Sequence, residues 1–198
     1  ATNTGNPFVL IANHFKSKGS GEDDRTGQGL ANPSRKAQAT QLTAWASEMF
    51  GDEAVFLVGD FNAYSKETPI QIIEGAGFTN LVKAAEPGSA TYQFDGRLGS
   101  LDHALGNAAA MELVRDARVW NINADEPILY EYSRRLYNVV DFHEDNYFRS
   151  SDHDPVKVGF SLPQNTEPAK RNGRPDHSHQ QGRPDHSYDT GRPAHARR

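Results

Sequence analysis

The sequence predicts a mixed α/β (α+β) domain in which packed β-sheets are covered by helices. Short apolar runs at residues 8–12 and 54–58 read as strands, joined by a short strand at 101–105 and an alternating run at 156–162. Residues 33–50 carry apolar side chains three and four positions apart, the spacing of one helical face. These segments follow one another without a regular strand–helix–strand repeat, which favours packed sheets over a doubly wound parallel sheet.

At 198 residues the chain is long enough for one domain with a real core, although hydrophobic residues make up only 36% of it. The C-terminus explains part of this, because almost no apolar side chain follows Pro163. The expected boundaries are a folded part at residues 1–162 and a tail at 163–198. In the tail, Gly173-Arg174-Pro175-Asp176-His177-Ser178 recurs as residues 182–187 and, degenerately, as Gly191-Arg192-Pro193-Ala194-His195. Such a repeat of Pro, Gly and charge cannot bury a core and is expected to be disordered. Its histidines could hold a transition metal weakly, and a solvated tail without that role is the plainer reading.

The net charge of −5 is uneven: the tail holds seven Lys/Arg and four Asp/Glu, leaving −8 on residues 1–162. An acidic body argues against tight passive binding of nucleic acid, which needs a basic footprint. It suits a hydrolase that gathers divalent cations with carboxylates. The absence of cysteine excludes disulfides and thiolate metal sites. No apolar run reaches the length of a membrane span. The chain starts at Ala1 and enters a strand pattern at once, as expected of a cut inside a longer protein.

The elements are read in order. Phe8-Val9-Leu10-Ile11-Ala12 is a continuous apolar run, hence a buried strand, and it ends in Asn13-His14. Residues 19–32 are a loop by composition. Asn32-Pro33 reads as a helix cap followed by Pro at the first helical position. The helix presents Ala39, Leu42, Trp45, Ala46 and Met49 on one stripe. Residues 54–58 are a second buried strand, broken at Gly59 into Asp60-Phe61-Asn62, and residues 69–75 a short helix. Residues 91–94 alternate as a strand before the turn signal Asp95-Gly96. Residues 101–105, 118–122 and 156–162 complete the strands.

Four polar clusters sit at strand ends: Asn13-His14, Asp60-Phe61-Asn62, Asp102-His103 and Ser151-Asp152-His153-Asp154. Strand ends of packed sheets converge at a rim, so distant residues can share a cleft. Each cluster also has a local reading. A lone Asp after a strand caps or turns the chain, and a lone His there satisfies structure. The fourth cluster resists that reading, since three titratable groups precede a strand whose entry Pro155 stiffens. Together the clusters suit phosphodiester hydrolysis, which needs oxygen ligands for Mg²⁺, Mn²⁺ or Ca²⁺, a base, and donors for the phosphoryl oxygens. Asp152 can offer metal oxygen. His153 can act as base or phosphate donor, oriented by Asp102. Asp60 and Asn62 can place water or phosphate, and His14 can donate to phosphate.

Gly59-Asp60-Phe61-Asn62, Leu101-Asp102-His103 and Ser151-Asp152-His153-Asp154-Pro155-Val156, in this order, resemble the endonuclease/exonuclease/phosphatase superfamily. DNase I, exonuclease III-like AP endonucleases, inositol polyphosphate 5-phosphatases and bacterial sphingomyelinases belong to it. Asn13-His14-Phe15-Lys16-Ser17-Lys18-Gly19, Gly27-Gln28-Gly29, Phe94-Asp95-Gly96 and Ile122-Asn123-Ala124-Asp125-Glu126-Pro127 are similar to the nuclease domain of secreted bacterial extracellular nucleases. The resemblance covers residues 7–162. It implies a DNase I-like four-layer α/β/β/α sandwich, with His14 and His153 flanking the scissile phosphate and Asp102 paired with His153. It further implies Asp60 and Asn62 aligning nucleophile and phosphate, and Asp152 binding a divalent cation, Mg²⁺ first. It implies an enzyme acting outside the cell on DNA first and RNA second, with no stable protein partner. Lys16 and Lys18 are read as solvated. In that family the first half of the domain adds an Asn and a metal-binding Glu. This chain is accordingly expected to hold the C-terminal half, and to be poorly active and aggregation-prone alone.

Two other readings compete. A phosphatase or sphingomyelinase would share the fold, and the aromatic stretch 120–147 is compatible with lipid contact. A truncated or decayed fragment, or a binding module, is the other; the intact catalytic positions argue against long decay and leave truncation open.

Overall fold

The computed structural model describes residues 8–132 and 146–162. The tail reading for 163–198 lies outside the described residues, as do Tyr137 and Phe142 of the aromatic stretch.

Strand β1 (Val9–His14) runs parallel to β2 (Val55–Asp60), and helix α1 (Asn32–Phe50) lies between them in sequence. Helix α2 (Thr68–Gly75) follows, then the two-residue strand β3 (Thr79–Asn80) and the short helix α3 (Leu81–Ala85). Strands β4 (Tyr92–Phe94) and β5 (Arg97–Gly99) form a hairpin across Asp95-Gly96. Both turn residues have positive φ, 49° and 71°, as the turn signal requires. Strand β6 (Asp102–Gly106) is antiparallel to β2 and to β3, giving a four-stranded sheet of order β1-β2-β6-β3. Helix α4 (Ala108–Leu113) leads into β7 (Val114–Val119), which pairs antiparallel with the last strand, β8 (Val156–Phe160).

The alternation of β2 explains the layering. Val55 and Leu57 point to one face, into a cluster with Ala39 and Ala46 of α1, Ile70 and Ile73 of α2, and Phe15 and Phe61. Phe56 points to the other face, with Leu81, Ala104, Ala110, Ala117 and the β8 residues Val156 and Val158. There Phe56 meets Phe160 edge-on at 5.1 Å and Phe8 at 5.6 Å. Burying a side chain such as Leu57 or Ile73 contributes about 1.5–3 kcal/mol. Helices, the main sheet and the β7–β8 pair thus form successive layers of a mixed α/β fold.

Four details differ from the sequence-based expectations. Strand β1 is an edge strand with only one face covered, so its burial alternates and Leu10 is 57% exposed. Helix α1 buries Asn32, Arg35, Ala39, Thr43 and Ala46, whereas Trp45 and Met49 are exposed. Small residues let the helix approach the sheet, and a fully buried Arg35 spends its guanidinium on the carbonyls of Lys16, Gln28 and Leu30. Asn32 is not the cap. Its buried amide donates to Asp24 Oδ2 at 2.8 Å and so ties down the preceding loop, and Ala31 turns the chain at φ 57°. The strand expected at 118–122 lies at 114–119 instead.

Candidate active site

Strand register assembles the first part of the site. His14 is aligned with Asp60 across β1 and β2, and Asp60 with Asp102 across β2 and β6. Three residues from distant parts of the sequence therefore form one row at one end of the sheet. Gly59 makes the row possible. Its φ is 126°, and a Cβ there would lie 2.1 Å from the Asn13 carbonyl oxygen, so no other residue fits without moving β1.

The Asp60-Phe61-Asn62 turn is locked from inside. Phe61 is fully buried, its ring 4.9 Å from that of Phe15. Asp60 Oδ1 accepts the Asn62 backbone N–H at 2.7 Å. The Asn62 amide donates to Asp60 Oδ2 at 2.9 Å and to the Phe15 carbonyl at 3.2 Å. Asn62 itself sits at φ 47°, a conformation asparagine tolerates better than most residues. Burial pushes the Asp60 carboxyl above its ordinary range and the nearby Asp102 adds to this, against the opposing pull of the Asn62 N–H, His153 and His14. His14 Nε2 stands 3.5 Å from Asp60 Oδ2 on a largely exposed side chain.

The second part is the pair Asp102–His153. Nδ1 of His153 lies 2.6 Å from Asp102 Oδ2, although the residues are 51 positions apart. A carboxylate oxygen only accepts, so Nδ1 carries the proton and Nε2 is the nitrogen left for a ligand. Burial alone would lower the His153 pKa, but the hydrogen bond and charge of Asp102, with the charges of Asp152 and Asp60, raise it above the usual value. The Tyr92 ring lies 4.7 Å from the imidazole, and Tyr92 and His153 form a backbone bridge.

The structure thus brings His14, Asp60, Asn62, Asp102 and His153 to one rim. Asp152 stands beside them, lining a cavity with Tyr92, Phe94, Asp125 and Arg149 and raising the pKa of the Tyr132 hydroxyl by its charge. Among the described residues, no three His, Asp or Glu side chains are grouped so as to hold a metal ion. Asp152 offers one carboxylate oxygen to a cation.

Several further residues take structural roles around the rim, and of these sequence reasoning did not single out Arg149. His103, 2% exposed, donates from Nε2 to the Ala63 carbonyl at 2.8 Å and meets the Asn80 amide through Nδ1 at 3.0 Å. Asn80 Oδ1 caps α3 through Lys83 N–H, so the amide turns its NH₂ to the ring and Nδ1 accepts. Burial lowers the His103 pKa, fitting a neutral structural imidazole. Asp154 is not a rim group: its Oδ1 accepts the backbone N–H groups of Ile122, Asn123 and Ala124 at 2.9–3.0 Å. Arg149, buried, pairs with Glu131 at 2.8 Å and binds the carbonyls of the same segment. Lys18, expected to be solvated, is half-buried and bonded to Glu67 Oε1 at 2.7 Å and to the Gln28 carbonyl. Burial lowers its pKa despite Glu67. Lys16 is exposed, as expected. No local sequence signal marks the buried partners, because their bonding depends on segments far away in the chain.

No protein-family model and no curated protein matches the sequence. Solved structures do match in shape. One is a functionally unknown conserved protein from Enterococcus faecalis V583, at TM-score 0.52 and 18% identity, covering 81% of this chain and 52% of the other. Another is an endonuclease/exonuclease/phosphatase family protein from Bacteroides thetaiotaomicron, at TM-score 0.52 and 18% identity, covering 79% of this chain and 49% of the other. The chain spans about half the length of these proteins. With the strand order and layering described above, this gives the chain a DNase I-like mixed α/β fold, shared with these proteins.

Proposed function

We propose that this chain carries the acid–base half of a phosphodiester-hydrolysing site that acts on nucleic acid, DNA first and RNA second, outside the cell. The observation that carries the reading is the 2.6 Å Asp102–His153 pair on the same rim as Asp60 and Asn62. Asp102 fixes the tautomer, so His153 Nε2 exchanges a proton with the attacking water or the leaving oxygen. Asp60 accepts a hydrogen bond from the water, and the Asn62 amide holds its carboxylate in place. His14, exposed on the neighbouring strand, donates to a phosphoryl oxygen. The similarly folded Bacteroides thetaiotaomicron protein is an endonuclease/exonuclease/phosphatase family protein, which supports phosphoester chemistry on this fold.

Dependence on a divalent cation, Mg²⁺ first, is the remaining part of the proposal. Asp152 would supply one oxygen, although among the described residues no three His, Asp or Glu side chains are grouped around a cation. No proton transfer above runs through the cation.

Of the phosphatase and sphingomyelinase alternatives, the sphingomyelinase one is favoured by one observation, the exposed rings of Tyr130, Tyr147 and Phe148, which lie against one another. Aromatic side chains of this kind suit a lipid–water boundary.

The test is cleavage of plasmid DNA, of sphingomyelin vesicles and of inositol phosphates by the host polypeptide that contains these residues, with and without EDTA. Cation-dependent DNA cleavage, abolished by Asp152→Ala and by His153→Ala, is expected. Wild-type rates in either variant would overturn the role assignments, and turnover of sphingomyelin alone would favour the lipid reading. The 198-residue chain by itself is expected to cleave weakly.

A further inference from the structure

Thr91 has no exposed surface, and its hydroxyl has three polar neighbours. The backbone N–H groups of Leu101 and Asp102 both donate to Oγ1, each at 3.2 Å. A hydroxyl accepts through two lone pairs and donates one proton, so these bonds fill its acceptor side. Its proton then has one destination, Asp102 Oδ2 at 2.8 Å. That oxygen is the one His153 Nδ1 reaches.

The backbone of Thr91 acts on the other member of the pair. Its carbonyl accepts the Asp154 N–H at 2.7 Å, which anchors the segment that carries His153. Its own N–H donates to the Gly99 carbonyl at 3.1 Å, and the next residue, Tyr92, bridges to His153. One buried residue thus touches the Asp102 carboxylate through its side chain and the 151–154 segment through its main chain.

We propose that Thr91 is a positioning residue that sets the Asp102 carboxylate rotamer and holds His153 in register with it. The inference rests on the reading of Asp102 and His153 as the working pair. Without the hydroxyl, the carboxylate is free to rotate about its terminal torsion, which is broad for aspartate, and no longer keeps one oxygen on Nδ1.

The test compares Thr91→Val, which keeps the shape and removes the hydroxyl, with Thr91→Ser, which keeps the hydroxyl. In the full chain, the His153 Nδ1 proton gives a low-field NMR signal that should persist in the wild type and in Thr91→Ser. It should be lost or exchange-broadened in Thr91→Val. An unchanged signal in Thr91→Val overturns the proposal. If Thr91→Val does not fold, the wild type decides: a Thr91 hydroxyl proton that exchanges slowly and shows a cross-peak to the His153 ring supports the proposal, and one exchanging at solvent rates overturns it. In the host polypeptide, kcat should fall by about 10- to 100-fold in Thr91→Val with KM little changed, and recover in Thr91→Ser. The NMR readout needs no substrate, so absence of phosphodiesterase activity in the wild type counts against the proposed function and leaves Thr91 to be judged on the spectrum.

Discussion

His153 reaches Asp102 across 51 residues of sequence, ring nitrogen to carboxylate oxygen at 2.6 Å, and the contact decides the protonation chemistry of the rim. Asp102→Asn should keep the shape and lose the charge. Hydrolysis should fall by about 10²- to 10⁴-fold, measured as kcat on plasmid DNA. A loss below threefold would show that the pair does not orient the base.

The same pair has a pH signature in stability. The folded-state pKa of His153 is raised above its ordinary value of 6.5. Its contribution is therefore complete below that ordinary value and is lost as pH rises through the folded value. The melting-temperature gap between wild type and His153→Gln should be widest in mild acid and close above neutrality. A gap that widens with rising pH would contradict the assignment.

Asp60 presents the opposite balance of function and stability. Its carboxyl is pushed up, chiefly by burial and further by Asp102, so folding disfavours its ionised form. By the same sign rule the wild type holds this contribution below the ordinary carboxylate pKa and loses it as pH rises through the folded value. Asp60→Asn should therefore gain melting temperature relative to wild type between pH 3 and pH 7 while hydrolysis is abolished. Thermal melts at both pH values check the first part and plasmid cleavage the second.

Gly59→Ala should be severely destabilising, by about 3 kcal/mol or more, because φ 126° and a 2.1 Å approach to the Asn13 carbonyl both oppose a side chain. Urea denaturation measures it. A loss under about 1 kcal/mol would mean that β1 shifts without cost.

Asp154→Ala should leave the N–H groups of Ile122, Asn123 and Ala124 without their shared acceptor. The expected cost is about 2–4 kcal/mol, with Asp154→Asn milder because one oxygen remains. Hydrogen exchange at these three amides should accelerate in the Ala variant. Unchanged exchange would show that they have other partners.

The strand-end clusters were legible because strands leave a plain sequence trace: apolar runs at 8–12 and 54–58, each followed by a polar cluster at its rim end. The helix at 32–50 was legible as an element but not in its orientation. A stripe drawn through Trp45 and Met49 is apolar, yet the sheet selected Ala39, Thr43 and Ala46, where small side chains permit close approach. The short α3 and α4 went unread because five or six residues carry too little periodicity to separate from a loop.

By itself the sequence determined the alternation of mixed α and β elements and the chemical identity of the rim residues, because covalent order places His14, Asp60, Asp102 and His153 at strand ends. The tertiary structure decided who meets whom. Register put His14, Asp60 and Asp102 in one row, the return of β8 brought His153 onto Asp102, and the buried Thr91 hydroxyl joined them. The physical reason is that a hydrogen bond acts over about 3 Å while the chain separates its partners by tens of residues, so only packing can choose the pair.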